Sequence, residues 1–223
     1  ICQQTKSLEF PLTEINENWH YCGPFRDDEL LPYIKPELPN GGIKNAYISL
    51  GSLQGSRFKL LKKCVAACKS EGLRPIVVHA GLLNDEDVRK LEKHALVFDY
   101  LKQPDVFEYC DLLISHCGLN TALDALSYGK PIVAIPIGIE QGAIATKIER
   151  RGCAVVVKRP RKRKIKKALS EILSNPEYEK NCLQIKEEIE SSGGTQRAVR
   201  VIKQAFKTLE KKAKNKKEIA LYQ

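Results

Sequence analysis

Short apolar runs recur through the middle of the chain, separated by amphipathic stretches. The runs are AYISL at 46–50, PIVVH at 75–79, ALVF at 95–98, DLLIS at 111–115, PIVAI at 131–135 and CAVVV at 153–157. Each is rich in Val, Ile and Leu and bounded by Gly, Pro or polar residues, which is how a strand buried on both faces reads. The stretches between them, roughly ten residues each, carry helical periodicity. Helices are predicted from about Ser56 to Ser70, from near Asn84 and from near Leu119. Continuous apolar strands joined by helical crossovers predict an α/β fold, a Rossmann-like doubly wound parallel sheet with helices on both faces. Past Pro160 only helices are predicted, with NPEYEK and SSGGTQ as punctuation.

Segment 1–42 is irregular, since Pro11, Pro24, Pro32, Pro36, Pro39 and the pair Gly41-Gly42 break any periodicity. The expected organisation is a connector over 1–42, the Rossmann-like domain over 43–157, and a helical segment over 158–223 that ends in the Lys-rich KKAKNKKE. Among the 223 residues, 43% are apolar, enough for a real core. The chain has no methionine, so translation is expected to start upstream of Ile1. No run approaches the roughly 20 apolar residues of a membrane span, and no signal pattern opens the chain, so a cytoplasmic protein is expected.

Charge changes the picture of the last third. Residues 1–157 hold 18 basic and 19 acidic side chains, and 158–223 hold 19 and 8, so the net +10 belongs to the tail. Its densest part is KRPRKRKIKK at 158–167. A solvated helix face is the first reading. Contact with an anionic membrane surface is the second, and nucleic acid is not expected because no aromatic side chain interrupts the cluster. The eight cysteines are too scattered for a disulfide scaffold. They read as buried free thiols, and no metal site is expected, because no His or second Cys pair stands at zinc spacing.

The polar clusters fall where strands end. GSLQG follows the first strand, HCGLNT the fourth and PIGIEQ the fifth, the edge at which ligands bind in such sheets. In SHCGLNTALDAL, Gly118 permits a tight turn into a helix whose first amides, on Leu119, Asn120 and Thr121, favour phosphate oxygens. His116 stands beside them. Helix capping by Asn120 or Thr121 and a structural role for His116 is the plainer alternative. Asp124 shifts the balance, because it shares a helix face with Thr121 and Asn120 and can accept hydrogen bonds from a ribose diol. Glu140 and Gln141 offer further acceptors and an amide, although Glu-Gln is also an ordinary helix opening. Gly51 and Ser52 end the first strand near the same edge. There is no Walker loop, no GxGxxG opening the first helix and no serine elbow, which argues against an ATPase, a nicotinamide dehydrogenase and a serine hydrolase.

The stretch LISHCGLNTALDALSYGKPIVAIPIGIEQGAIATKIERRGCAVVV resembles the donor signature of nucleotide-sugar-dependent glycosyltransferases with two Rossmann-like domains, in the macrolide and zeaxanthin glucosyltransferase group. The likeness extends to AYISLGS, FDYLKQPDVFEYCDLLISHCG, SSGGTQRAVRVI and LEFPLTEINENWHYCGPF, which is most of the chain. It implies one half of a GT-B fold, with 1–42 leading out of a missing N-terminal acceptor domain. By position, the resemblance places Tyr100 on the uracil and Gln103 at the base or ribose. His116, Gly118, Asn120 and Thr121 fall at the diphosphate with Gly51 and Ser52, Asp124 at the ribose, and Glu140 and Gln141 at the sugar hydroxyls. It implies a UDP-sugar as co-substrate with no cofactor or metal, and transfer with inversion to a small lipophilic acceptor hydroxyl. The general base would lie in the missing half, so no catalytic residue is assigned here.

Several positions depart from the family pattern. Lys102 stands for a usual proline and Tyr100 for a tryptophan or phenylalanine, while Asp124 is one methylene shorter and Glu140 one longer than usual. A changed donor choice or donor affinity is expected from the altered reach. Two rival readings are a non-catalytic nucleotide-sugar-binding module that works with a separate acceptor chain, and, ranked lower, a two-domain epimerase.

Overall fold

Six strands form one parallel sheet: β1 (Asn45–Ser49), β2 (Arg74–Val78), β3 (Leu96–Phe98), β4 (Leu112–Ser115), β5 (Ile132–Ala134) and β6 (Ala154–Val156). Their order is β3-β2-β1-β4-β5-β6. Each coincides with one of the predicted runs, β1 and β2 starting one residue before theirs. The computed structural model describes residues 1–10, 18–26, 38, 39 and 41–220. Pro11, Pro32 and Pro36 of the expected connector lie outside the described residues.

The helices are α1 (Phe58–Ser70), α2 (Asp85–Glu92), α3 (Gln103–Phe107), α4 (Leu119–Ser127), α5 (Ile139–Arg150), α6 (Lys162–Ser174), α7 (Glu177–Ser191) and α8 (Gly194–Ala220). Local chemistry sets their starts. Asn84 caps α2, its side chain accepting from the Asp87 N–H at 2.9 Å. The short α3 is an addition to the predicted set.

Successive side chains of a strand point to opposite faces, and both faces are covered. Ala46, Ile48 and Leu50 enter the layer with Leu61, Cys64, Val65 and Cys68 of α1 and Ile165, Ala168, Leu169 and Ile172 of α6. Tyr47, between Ala46 and Ile48, meets Phe107 from the end of α3, ring centroids 5.0 Å apart and nearly perpendicular. The central strands β1 and β4 are buried along their length, whereas β3, at one edge of the sheet, is half-exposed. All eight cysteines are unpaired thiols, seven of them buried. Burial pushes the Cys64 and Cys117 thiols up to about 12, so they act as small apolar groups.

The chain divides into two compact units, Leu30–Glu187 and Ile1–Glu29 with Glu188–Gln223. These differ from the expected segments. The sheet and helices α1 to α6 share the first unit, because the apolar face of α6 packs on α1. In the second unit the N-terminal segment pairs Cys2 with Tyr21, and the Gly194 N–H donates to the Cys22 carbonyl at 2.7 Å. On α6, Lys162, Arg163, Lys164, Lys166 and Lys167 face outward, beside exposed Lys59, Lys62 and Lys63 of α1. No helix among the described residues is long and apolar enough to cross a membrane.

Candidate functional site

The strand order reverses between β1 and β4, and their carboxyl ends lie side by side with Ser49 opposite Ser115. In an open α/β sheet this switch point is where a crevice forms. Gly51 leaves β1 here, while His116, Cys117 and Gly118 leave β4 to open α4.

The His116 ring lies against both glycines. A methyl group at Gly51 would meet its Cε1 and Nε2 atoms at 2.6 Å, and one at Gly118 would meet Nε2 at 2.5 Å. Such separations are far inside van der Waals contact, so a side chain at either place requires the His116 ring to move. Gly51 also has φ of +78°, a region that disfavours side chains. Cys117 adopts φ of +63° despite its Cβ, at a cost of roughly 1–2 kcal/mol. The N–H of Cys117 donates to the Ser115 hydroxyl at 3.1 Å, which helps hold this turn. His116 is half-buried. Burial lowers its pKa, while the Glu140 carboxylate and a hydrogen bond to the Ser49 backbone pull the other way.

No side chain caps α4 at Gly118, and its first intrahelical bond runs from the Ala122 N–H to the Gly118 carbonyl at 3.0 Å. The amides of Leu119, Asn120 and Thr121 precede that bond at the positive end of the helix. Asn120 is exposed and Thr121 half-buried.

Gln103, the first residue of α3, joins this turn to the sheet. Its amide nitrogen donates to the Thr121 hydroxyl at 3.2 Å and to the Tyr47 hydroxyl at 3.4 Å. Burial pushes the Tyr47 phenol up to about 12, against hydrogen bonds with Gln103 and Ser49 that pull it down, and the Asp124 carboxylate adds a small upward contribution. Gln103, Thr121, Tyr47 and Asp124 therefore form one group. Tyr100, just before α3, is 69% exposed, and Ser52 is exposed in the turn after Gly51.

On α5, Glu140 is exposed and acts electrostatically on His116, so it stands on the same rim. Gln141 plays a different part. Its side-chain oxygen accepts from the Ile137 N–H at 2.9 Å and the Gly138 N–H at 2.8 Å, closing the turn into α5. Only its amide nitrogen is left to reach outward. Sequence reasoning missed Tyr47 and Cys117. A tyrosine in the middle of an all-apolar strand was the available signal for the first, because a buried phenol needs a partner; nothing in the sequence marks the left-handed turn at Cys117. Among the described residues no group of three His, Cys, Asp or Glu side chains is placed to hold a metal ion.

Residues 69–204 match the family model for the erythromycin biosynthesis protein CIII-like C-terminal domain. The chain is 28% identical over 212 residues to a zeaxanthin glucosyltransferase of Pantoea ananas, covering 93% of this chain and 49% of that protein. It is 34% identical over 112 residues to a demethyllactenocin mycarosyltransferase of Streptomyces fradiae, 50% of this chain and 24% of that one. The chain spans about half the length of the zeaxanthin glucosyltransferase. Among solved structures, a glycotransferase of kitacinnamycin superposes with a TM-score of 0.78 at 21% identity, covering 91% of this chain and 53% of that one. The spinosyn rhamnosyltransferase SpnG complexed with thymidine diphosphate gives 0.70 at 17% identity, covering 89% and 55%. These likenesses show the fold, a Rossmann-like half of GT-B glycosyltransferases.

Proposed function

The chain belongs to the family of erythromycin biosynthesis protein CIII-like C-terminal domains, and from that premise we propose that it is the donor-binding half of a glycosyltransferase that uses a UDP-sugar. The observation that carries the reading is the lodging of His116 between Gly51 and Gly118 at the open start of α4. That turn offers the helix amides and a histidine to a diphosphate. Asp124, one turn further in, faces the ribose diol, and Glu140, across His116, faces the sugar hydroxyls. Tyr100 and Gln103 hold the uracil end.

In the transfer, an acceptor hydroxyl presented by the other half attacks the anomeric carbon from the face opposite the diphosphate, inverting it. The C–O bond to the diphosphate breaks, and negative charge grows on the departing oxygen. The start of α4 and a protonated His116 stabilise that charge. The base that takes the acceptor's proton belongs to the other half.

His116 gives this reading a pH signature. Without ligand, burial holds the ring below the usual histidine range, so it is uncharged at neutral pH. A diphosphate beside it favours the charged form. Binding then takes up a proton, so affinity rises as pH falls and levels off once the free ring is itself protonated. UDP-glucose is expected to bind more tightly at pH 6 than at pH 8, by at most about tenfold per pH unit, with His116→Gln showing a flat profile. Equal profiles for the two proteins in a fluorescence or calorimetric titration would refute the role of His116.

The outward basic face of α1 and α6 is part of the same proposal, as a contact with anionic lipid that brings the site to a lipophilic acceptor. Each basic residue near such a surface contributes about 1 kcal/mol at low salt. Binding to phosphatidylglycerol vesicles, lost at high salt and absent with phosphatidylcholine, is the expected result; equal partition into both rules the contact out.

A further inference from the structure

Three loops of the carboxyl rim meet at a residue outside the site described so far. His79 directly follows β2 and is 1% exposed. Its Nδ1 accepts from the Leu83 N–H at 3.2 Å, which leaves the ring proton on Nε2. Nε2 lies 2.9 Å from Asp99 Oδ1, off the straight N–H line, so the contact is electrostatic rather than an aligned hydrogen bond. The backbone is equally committed. The His79 N–H donates to the Phe98 carbonyl at 3.2 Å, carrying the β2–β3 pairing one step past the strand. A methyl group on Gly55, in the loop after β1, would come within 2.1 Å of the His79 carbonyl oxygen. The next residue, Ala80, sits at φ of +58°, a conformation that costs a residue with a Cβ and persists where its surroundings impose it.

We propose that His79 is a positioning residue for the nucleoside end of the donor site: through Asp99 it fixes the loop whose next residue is Tyr100. The Asp99 side chain is 79% exposed. Solvent alone would leave it free to turn, and the buried imidazole ties it back to the sheet. Asp99 and Tyr100 are adjacent in the chain, so a loop fixed at Asp99 presents the Tyr100 ring in a narrow range of positions before any base arrives. Preorganisation of this kind lowers the ordering cost of binding. The inference rests on the reading of Tyr100 as the ring that meets the uracil.

The test is calorimetric titration of the whole chain with UDP and with inorganic pyrophosphate. Five variants are compared with the starting chain: His79→Asn, His79→Gln, Asp99→Ala, Tyr100→Ala and the double variant Asp99→Ala/Tyr100→Ala. Asparagine at position 79 retains an acceptor near Nδ1 and loses the group near Nε2, whereas glutamine places its amide near Nε2. His79→Asn is therefore expected to weaken UDP binding roughly fivefold, the scale of one polar contact, with His79→Gln restoring most of it. Asp99→Ala, at an exposed position that leaves the core intact, is expected to match His79→Asn. Pyrophosphate binding should be unchanged in all three, and Asp99→Ala should have no further effect once Tyr100→Ala is present. The proposal is overturned if pyrophosphate weakens in parallel with UDP, if Asp99→Ala leaves UDP binding intact, or if its effect persists without the Tyr100 ring. A starting chain that binds pyrophosphate but not UDP removes the parent reading of the nucleoside site as well.

Discussion

Gly118→Ala is expected to weaken UDP binding by at least about thirtyfold, or ~2 kcal/mol, while leaving the fold nearly as stable as before. The dihedrals of Gly118, φ −60° and ψ 140°, suit any residue, so the backbone itself does not resist alanine. The conflict is steric and local, because the new methyl falls 2.5 Å from His116 Nε2. A half-buried ring at a loop can swing toward solvent at modest cost, so the protein yields by expelling the imidazole. Expulsion removes the histidine and places a methyl beside the helix amides proposed to hold the diphosphate. Gly51→Ala should lose binding similarly and also lose stability, because its φ of +78° adds roughly 1–2 kcal/mol of strain. Measuring the dissociation constant and the thermal midpoint on the same samples separates these effects. A Gly118→Ala protein that binds UDP normally would show that His116 and the helix start do not meet the diphosphate.

Phe107→Ala is expected to destabilise the fold by about 3–5 kcal/mol, a large share of the 5–15 kcal/mol typical of a domain. Phe107 is fully buried at the end of α3. Its ring meets Tyr47 edge-on at 5.0 Å and Tyr128 at 6.1 Å, so truncation leaves a cavity and removes two aromatic contacts. The effect should reach the site, because Tyr47 accepts from Gln103 on the same short helix. Urea unfolding should show a lower midpoint with an unchanged slope. A loss below about 1 kcal/mol would mean that the layer between α3 and the sheet collapses to fill the space.

The framework was legible in the sequence because its signals are local and repeated. A strand buried on both faces has to be apolar throughout, and Leu112–Ser115 and Ile132–Ala134 read as little else. Strand order was not written in those runs, yet parallel strands with helical crossovers left few arrangements. At the site, chain position put His116, Gly118, Thr121 and Asp124 at one strand end, and the structure adds what links them. The reason for Gly51 and Gly118 is a ring lying against both, a contact between separate strands that no window of sequence contains. The hydrogen bond from Gln103 to Thr121 likewise joins residues 18 apart. For Gln141, which the resemblance puts at the sugar hydroxyls, the structure adds that its carbonyl oxygen closes the turn into α5. The change to helices alone past Pro160 set the expected division at 157, and the apolar stripe Ile165, Ala168, Leu169 and Ile172 packs α6 on α1 across it, a contact between distant segments that sequence does not display.

Calorimetric titration of the chain with UDP, repeated on Asp124→Ala, tests the proposal most directly, because the proposed reading has Asp124 grip the ribose from a position one turn inside α4. A saturable binding isotherm for the starting chain, weakened at least about tenfold in the variant, is the expected result. No heat of binding to UDP, or the same affinity in both proteins, would contradict a nucleotide site at this switch point.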